Sequence, residues 1–543
     1  MSSSADDITL FNHAVEDYDS TVLFKEMKFV EVKDSTSTGG NYSSEITFDL
    51  NVLQSQADCV SLENTLIQFP VIGQLKTITA NTAPPTISAS NFVGAFKNGF
   101  HQFVNSATLK IGNKTIAEEC QFTNSLVSYK MLSEWNKEEL DKFGKMLGVN
   151  KEELDVGGAS SNINVAFDNN FHTAATGMRI ANTRAANERL GWYCSDEPTD
   201  LSLMNIINGE SNVSNVGCGL RKYKGSASAA GEVEYEIVAI ASIRLCDLID
   251  VVKVLPMLKS CSGSLNLKLN AAKTTIRSAA STGVLSYSHE VYRGNTHTGL
   301  ITTATIGLGG GTGESVYEWK VEASGVSALG IHPTIKYARM LVASYTPNAQ
   351  TEAVISQPKA IRYGQWTHYQ FECGAEQVFN ENLSSGITNP KRLLLVPVIR
   401  GQGKTSKAVP IQDPYTSPFE NIGWTTSPCV ALSQLNARVG NHALFNTPID
   451  LSNEYFFGQL QKGISGSRED GMVSGLLTQH DFDTLYRYIP FDLSRRATTD
   501  DGSKKSLSVS GKNLSKFDLT IHAFYESERA AVVDPALCIV SEQ

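Results

Sequence analysis

Apolar and polar residues alternate with a period of two over much of this chain, the mark of half-buried β-strands. Val30 and Val32 point one way while Glu31 and Lys33 point the other, and Ile46, Phe48 and Leu50 repeat the pattern. Residues 66–71 and 107–116 continue it. Further strands are expected over 335–345, 361–371, 392–399, 437–444, 485–493, 507–509 and 517–524, separated by Pro-, Ser- and Thr-rich loops. One passage breaks the period. Leu132, Trp135, Leu140, Phe143 and Leu147 fall on one face at helical spacing. Asn136-Lys137-Glu138-Glu139-Leu140-Asp141 recurs as Asn150-Lys151-Glu152-Glu153-Leu154-Asp155, and Asn followed three residues later by Glu starts helices. Two short consecutive helices are therefore expected. Another is expected over 247–258, with Leu248, Ile249, Val252 and Leu255 on its apolar side and Pro256 near its end. The long helical crossovers of a parallel α/β sheet are missing, so the pattern predicts an all-β sandwich or barrel.

The chain also repeats itself. Lys110-Ile111-Gly112-Asn113-Lys114 stands beside Arg438-Val439-Gly440-Asn441-His442, and Ile116 and Leu444 follow at the same offset. Alternating segments at 264–269 and 518–524 read as the closing strand of each half. Two copies of one all-β domain follow, with Thr346-Pro347-Asn348 as the boundary. The expected organisation is an N-terminal arm at 1–22, a first unit at 23–347 and a second at 348–543. The first unit is the longer, and its excess is read as two exterior insertions, over about 131–232 and 275–330.

Composition narrows the class. The 543 residues are 41% hydrophobic and 19% charged, a globular balance with material for more than one core. No apolar run approaches the roughly 18 residues that would cross a bilayer, and the first residues carry no basic, apolar leader. Nine cysteines without a C-x-x-C pair read as mostly buried thiols in a reducing compartment. A net charge of −10 argues against extended contact with nucleic acid, and the first twenty residues hold five acids and no Lys or Arg.

Candidate chemistry is sparse. The glycine run at 307–313 is followed by Glu314-Ser315 where a phosphate loop needs Lys-[Ser/Thr], so it reads as a hairpin tip. The histidines are scattered; His297 and the pair His368 and Glu372 offer isolated ligands only. Neither G-x-S-x-G nor H-E-x-x-H occurs, and no catalytic, metal or cofactor residue is assigned. Arg495-Arg496 and Lys504-Lys505, around Asp500-Asp501, form a basic patch that reads as a solvated loop. Trp192, Trp319, Trp366 and Trp424 are the sugar-stacking platforms that an alternative reading, a tandem β-sandwich acting on or binding carbohydrate, would use.

Several segments resemble the double jelly-roll major capsid proteins, particularly those of polinton-like viruses and virophages. Residues 103–116 look like the family's first-barrel strand pair around a Gly turn, and 243–270 like its strand–helix–strand segment. Ser417-Pro418-Phe419, Thr425-Thr426-Ser427-Pro428 and Leu435-Asn436-Ala437-Arg438-Val439-Gly440 resemble the opening of the second barrel's inner part. Residues 474–477 and 486–496 resemble its closing portion. The resemblance implies two tandem eight-stranded jelly rolls with long loop insertions and a few short helices. It further implies a structural, non-enzymatic protein of the virion. Homotrimers would form pseudo-hexameric capsomers in the icosahedral shell of a double-stranded DNA virus. The expected partners are other copies of the chain and minor capsid and penton proteins.

Overall fold

The computed structural model describes residues 23–79, 94–149, 213–279, 290–291, 302–303, 314–399 and 431–451, together with Tyr455 and most of 475–542, with small gaps inside these ranges. Eight strands build the first barrel: β1 (Phe24–Lys33), β2 (Glu45–Asp49), β3 (Cys59–Thr79), β4 (Val104–Ile111), β5 (Lys114–Ala117), β6 (Val233–Arg244), β7 (Gly263–Leu269) and β8 (Arg339–Pro347). They pair antiparallel as β1-β8-β3-β6 in one sheet and β2-β7-β4-β5 in the other. The second barrel has β9 (Lys359–Cys373), β10 (Val378–Ile387), β11 (Pro390–Ile399), β12 (Leu432–Val439), β13 (His442–Ala443), β14 (Ile489–Asp492), β15 (Lys505–Asn513) and β16 (Leu519–Asp534). Its sheets run β9-β16-β11-β14 and β10-β15-β12-β13. The order is the same in both halves. β17 (Ile539–Glu542) adds an outer strand beside β16.

Alternation sets which face each strand buries. Ile46, Phe48, Leu265, Leu267, Leu109 and Ile111 of one sheet meet Val30, Val32, Ile67, Phe69 and Ile237 of the other in the first core. Leu435, Ala437, Leu507 and Val509 meet Leu393, Leu395, Ile521 and Ala523 in the second. The Gly-Asn repeat marks equivalent turns. Ile111 pairs with Lys114 and Val439 with His442, so each is a two-residue hairpin, with Gly112 at φ +57° and Gly440 at φ +60°. A two-residue hairpin needs a positive φ there, which glycine adopts without steric cost.

Among the described residues, strands of both insertions join the barrel sheet. Strands Ala272–Ala279 and Glu314–Ser324 form a long hairpin whose second arm pairs with β3, and Tyr317, Trp319 and Val321 are fully buried in the first core. A Cβ on Gly73 of β3 would lie 2.7 Å from the Trp319 ring, so the bare backbone is what admits the indole. Strands Val213–Val216 and Gly219–Tyr223 extend the far edge beside β6.

Three sequence expectations need correction. The 264–269 segment is the seventh strand of its barrel, whereas 519–534 is the eighth of the other; β8 is the true counterpart. Alternation marks a strand without saying which. Around 131, where the first insertion is expected to open, helices Thr123–Glu134 and Lys137–Leu147 place Met131, Trp135 and Leu147 in the core. The single apolar stripe thus spans two helices, broken at Trp135-Asn136. Asn136 and Glu139 exchange the reciprocal hydrogen bonds of a capping box, at 2.8 and 3.2 Å, and the copy at 150–155 lies outside the described residues. Finally, 247–258 holds only a helical turn, Leu245–Leu248, and a 3-10 turn, Asp250–Lys253.

Candidate functional site

The two barrels are joined through one buried helix and two shared strands. Ten of the twelve residues of helix Thr123–Glu134 are buried. Val127 and Met131 enter the first core, while Leu126, Tyr129 and Leu132 enter the second. Tyr129 packs on Tyr488 with ring centroids 5.5 Å apart. A helix buried all round has no single apolar stripe, so it left no periodic signal.

β9 and β16 pair without a register break from Lys359↔Val533 to Cys373↔Leu519, and their two ends serve different barrels. Phe371, Leu519, Ile521 and Phe524 belong to the second core; Ile361, Tyr363, Ala531 and Val533 belong to the first, together with Cys538 and Val540. Lys259 N–H donates to the Pro535 carbonyl at 2.9 Å, and the ion pairs Arg529–Glu118 (2.7 Å) and Lys114–Glu542 (3.0 Å) edge the contact.

A charged network crosses the same junction. Lys130 of the buried helix lies 2.6 Å from Asp250, which opens the 3-10 turn after β6. Trp366 Nε1 of β9 donates to the same carboxylate at 3.0 Å. Lys253 bridges Asp250 at 3.2 Å and Glu134 at 3.0 Å. Arg392 of β11 donates to Glu526 of β16 through two nitrogens, at 2.6 and 3.3 Å, and its guanidinium sits 5.1 Å over the Trp366 ring. Burial alone raises the Asp250 carboxyl, but Lys130 and Lys253 outweigh it and hold the group well below the usual carboxylate range. Burial disfavours the Lys253 and Arg392 charges, and their acidic partners reverse this, raising both. Such a network adds little net stability over an apolar contact, but it penalises any arrangement that separates its partners. It links elements that pack in both cores across the junction.

Beside it stands a histidine pair. His368 Nε2 and His522 Nδ1 lie 2.9 Å apart, one donating to the other. Phe122, held at φ +57° immediately before the buried helix, meets both rings edge-on at 4.9 and 4.8 Å. Burial pushes His368 down to about 4.

The sequence candidates fall elsewhere. Residues 307–313, His297, Arg495-Arg496, Asp500-Asp501, Trp192 and Trp424 lie outside the described residues, while Glu314 begins a strand and Lys505 begins β15. Trp319 is fully buried and Trp366 nearly so, which removes both as sugar platforms. His368 faces His522, and among the described residues no group of three His, Cys, Asp or Glu could hold a metal. No helix among the described residues is long and apolar enough to cross a membrane. Lys130, Asp250, Arg392 and Glu526 were not singled out in the sequence, since Arg392 and Glu526 lie 134 positions apart and no local spacing links them. The available signal was a lone Lys inside Leu126–Leu132 and an Arg heading the apolar run 393–396.

Strand order 1-8-3-6 facing 2-7-4-5, present twice in one chain, makes this a double jelly roll. The structure of the mavirus major capsid protein matches all of the chain over 95% of its own length, with a TM-score of 0.50 at 9% identity. A Sputnik virophage structure matches 96% of the chain over 89% of its own, with a TM-score of 0.51 at 11% identity. The likeness to these viral proteins is one of fold. No protein-family model matches the sequence, and no curated protein does.

Proposed function

We propose that the chain is the major capsid protein of an icosahedral double-stranded DNA virus, working as a homotrimer in the virion shell. The observation that carries this reading is the double jelly roll matched from end to end by the mavirus major capsid protein. Residues 23–347 and 348–543 are then the two barrels and 1–22 an arm. Three such chains around one axis present six similar barrels, which tile a hexagonal surface with only threefold chemical symmetry. That geometry works only if the angle between barrels is fixed within each chain, and the Lys130–Asp250–Trp366 junction is suited to fixing it. Met27 and Phe29 stand exposed on β1, which among the described residues pairs only with β8 and so offers an edge to a neighbouring copy. The contact between copies is of the obligate class, on the order of 2,000–5,000 Å².

The role is architectural and needs no catalytic group. A net charge of −10 suits a shell that meets solvent and neighbours, with the genome held by other components and with minor capsid and penton proteins closing the vertices. Light scattering of the purified chain, followed by negative-stain microscopy at high concentration, tests the reading. Trimers with a hexagonal outline that build shells are expected. A stable monomer that binds glycans would overturn it.

A further inference from the structure

The segment after β16 brings a second buried thiol into the first core beside that of Cys261. Cys261 lies in the approach to β7 and Cys538 in the turn between β16 and β17, and each is only 1% exposed. The Cys538 thiol donates to the Ser262 carbonyl at 3.7 Å, against the residue that follows Cys261. Cys538 Sγ also accepts from Ser262 N–H at 3.4 Å, a contact spanning 276 positions. The turn is set tightly against the first barrel: Cys538 sits at φ +54°, and a Cβ on Gly112 would fall 2.2 Å from its carbonyl oxygen. None of this serves the charged network or the histidine pair.

We propose that Cys261 and Cys538 are a thiol–disulfide latch, closed by a low-molecular-weight disulfide such as oxidised glutathione, that ties the end of the second barrel covalently to the first. The two sulfurs have unequal roles. Interaction with the Cys261 side chain holds Cys538 down at about 6, and the same interaction pushes Cys261 well above the usual thiol range. Cys538 is therefore the attacking thiolate and Cys261 the resolving thiol. The flanking residues Leu537 and Ile539 are exposed, so a small opening of the turn presents Cys538 to the reagent. The Cys538 thiolate attacks one sulfur of glutathione disulfide, the S–S bond breaks, and one glutathione leaves as thiolate. Cys261 gives its proton to that leaving group or to solvent, and its sulfur attacks Cys538, expelling the second glutathione. Two electrons pass from the protein thiols to the reagent, which ends as two molecules of glutathione.

This inference does not depend on the capsid reading. The full-length protein, purified under reductant and freed of it, is incubated natively with graded ratios of oxidised to reduced glutathione, alkylated, and digested without reduction. A crosslinked peptide containing Cys261 and Cys538 is expected, with amide exchange across 531–542 slowed about tenfold or more in the oxidised protein. Cys261→Ala should stop at glutathione on Cys538, whereas Cys538→Ala should leave Cys261 unmodified. Absence of the crosslinked peptide from the parent protein at every ratio overturns the proposal, as does glutathione persisting on Cys538 while Cys261 is intact. Either result can be read on the parent alone, should a variant fail to fold.

Discussion

Acid should weaken this protein through one histidine before it touches the carboxylates. His368 is neutral in the fold because burial lowers it from 6.5 to about 4. The unfolded chain therefore takes up a proton that the folded chain refuses between those two values. Stability from this site is complete above pH 6.5, falls as the pH drops, and is gone near pH 4. Each tenfold in proton affinity is 1.36 kcal/mol, so the interval is worth about 3 kcal/mol, with about 2 kcal/mol lost by pH 5. Asp250 and Glu528 are held below their ordinary values, so their contribution is lost only as the pH falls from about 4 downward, and the two effects separate. The measurement is urea unfolding at fixed protein concentration at pH 7, 6, 5 and 4.5, on the parent and on His368→Gln, which keeps a hydrogen-bonding partner for His522 without the titration. The parent should lose stability with a slope approaching 1.4 kcal/mol per pH unit in the lower half of that range, and the variant should not. A parent that is flat from pH 7 to 5, or a variant that keeps the slope, refutes the reasoning.

Three further outcomes follow from single contacts. Lys130→Met strips Asp250 of its 2.6 Å partner while leaving Lys253 and Trp366 in place, and should cost about 3 kcal/mol in denaturant unfolding and reduce the yield of regular particles. Gly73→Ala drives a Cβ to within 2.7 Å of the Trp319 ring and 2.9 Å of Ile237, and should cost about 1–3 kcal/mol, read as a lower melting temperature in calorimetry. Asn136→Ala removes one half of the capping box and should cost about 1 kcal/mol, seen as faster amide exchange at the start of helix Lys137–Leu147 with little change elsewhere.

The fold was largely legible in the sequence, and for local reasons. Period-two burial in Val30 and Val32, or Ile46 and Phe48, is written into the chain because each strand buries one face. The Gly-Asn hairpins announced the duplication because a positive φ restricts what can stand there. The buried helix at 123–134 was hidden for the opposite reason: contacts on every side leave no polar face to set a period. Trp319 was weighed as a surface platform, and only the absent Cβ of Gly73, on a strand far away in sequence, makes room for it inside. The junction was the least legible part. Lys130 with Asp250, and Arg392 with Glu526, are brought together by topology, and an ion pair between distant strands has no spacing to recognise.

Because Ala531, Val533 and Val540 complete the first barrel's core, that barrel lacks part of its core until the strands of the second have been synthesised. β1 through β8 leave the ribosome before the residues that fill their seam. Translation thus delivers the two halves to completion nearly together, and a product cut short before 531 would leave both defective rather than one intact.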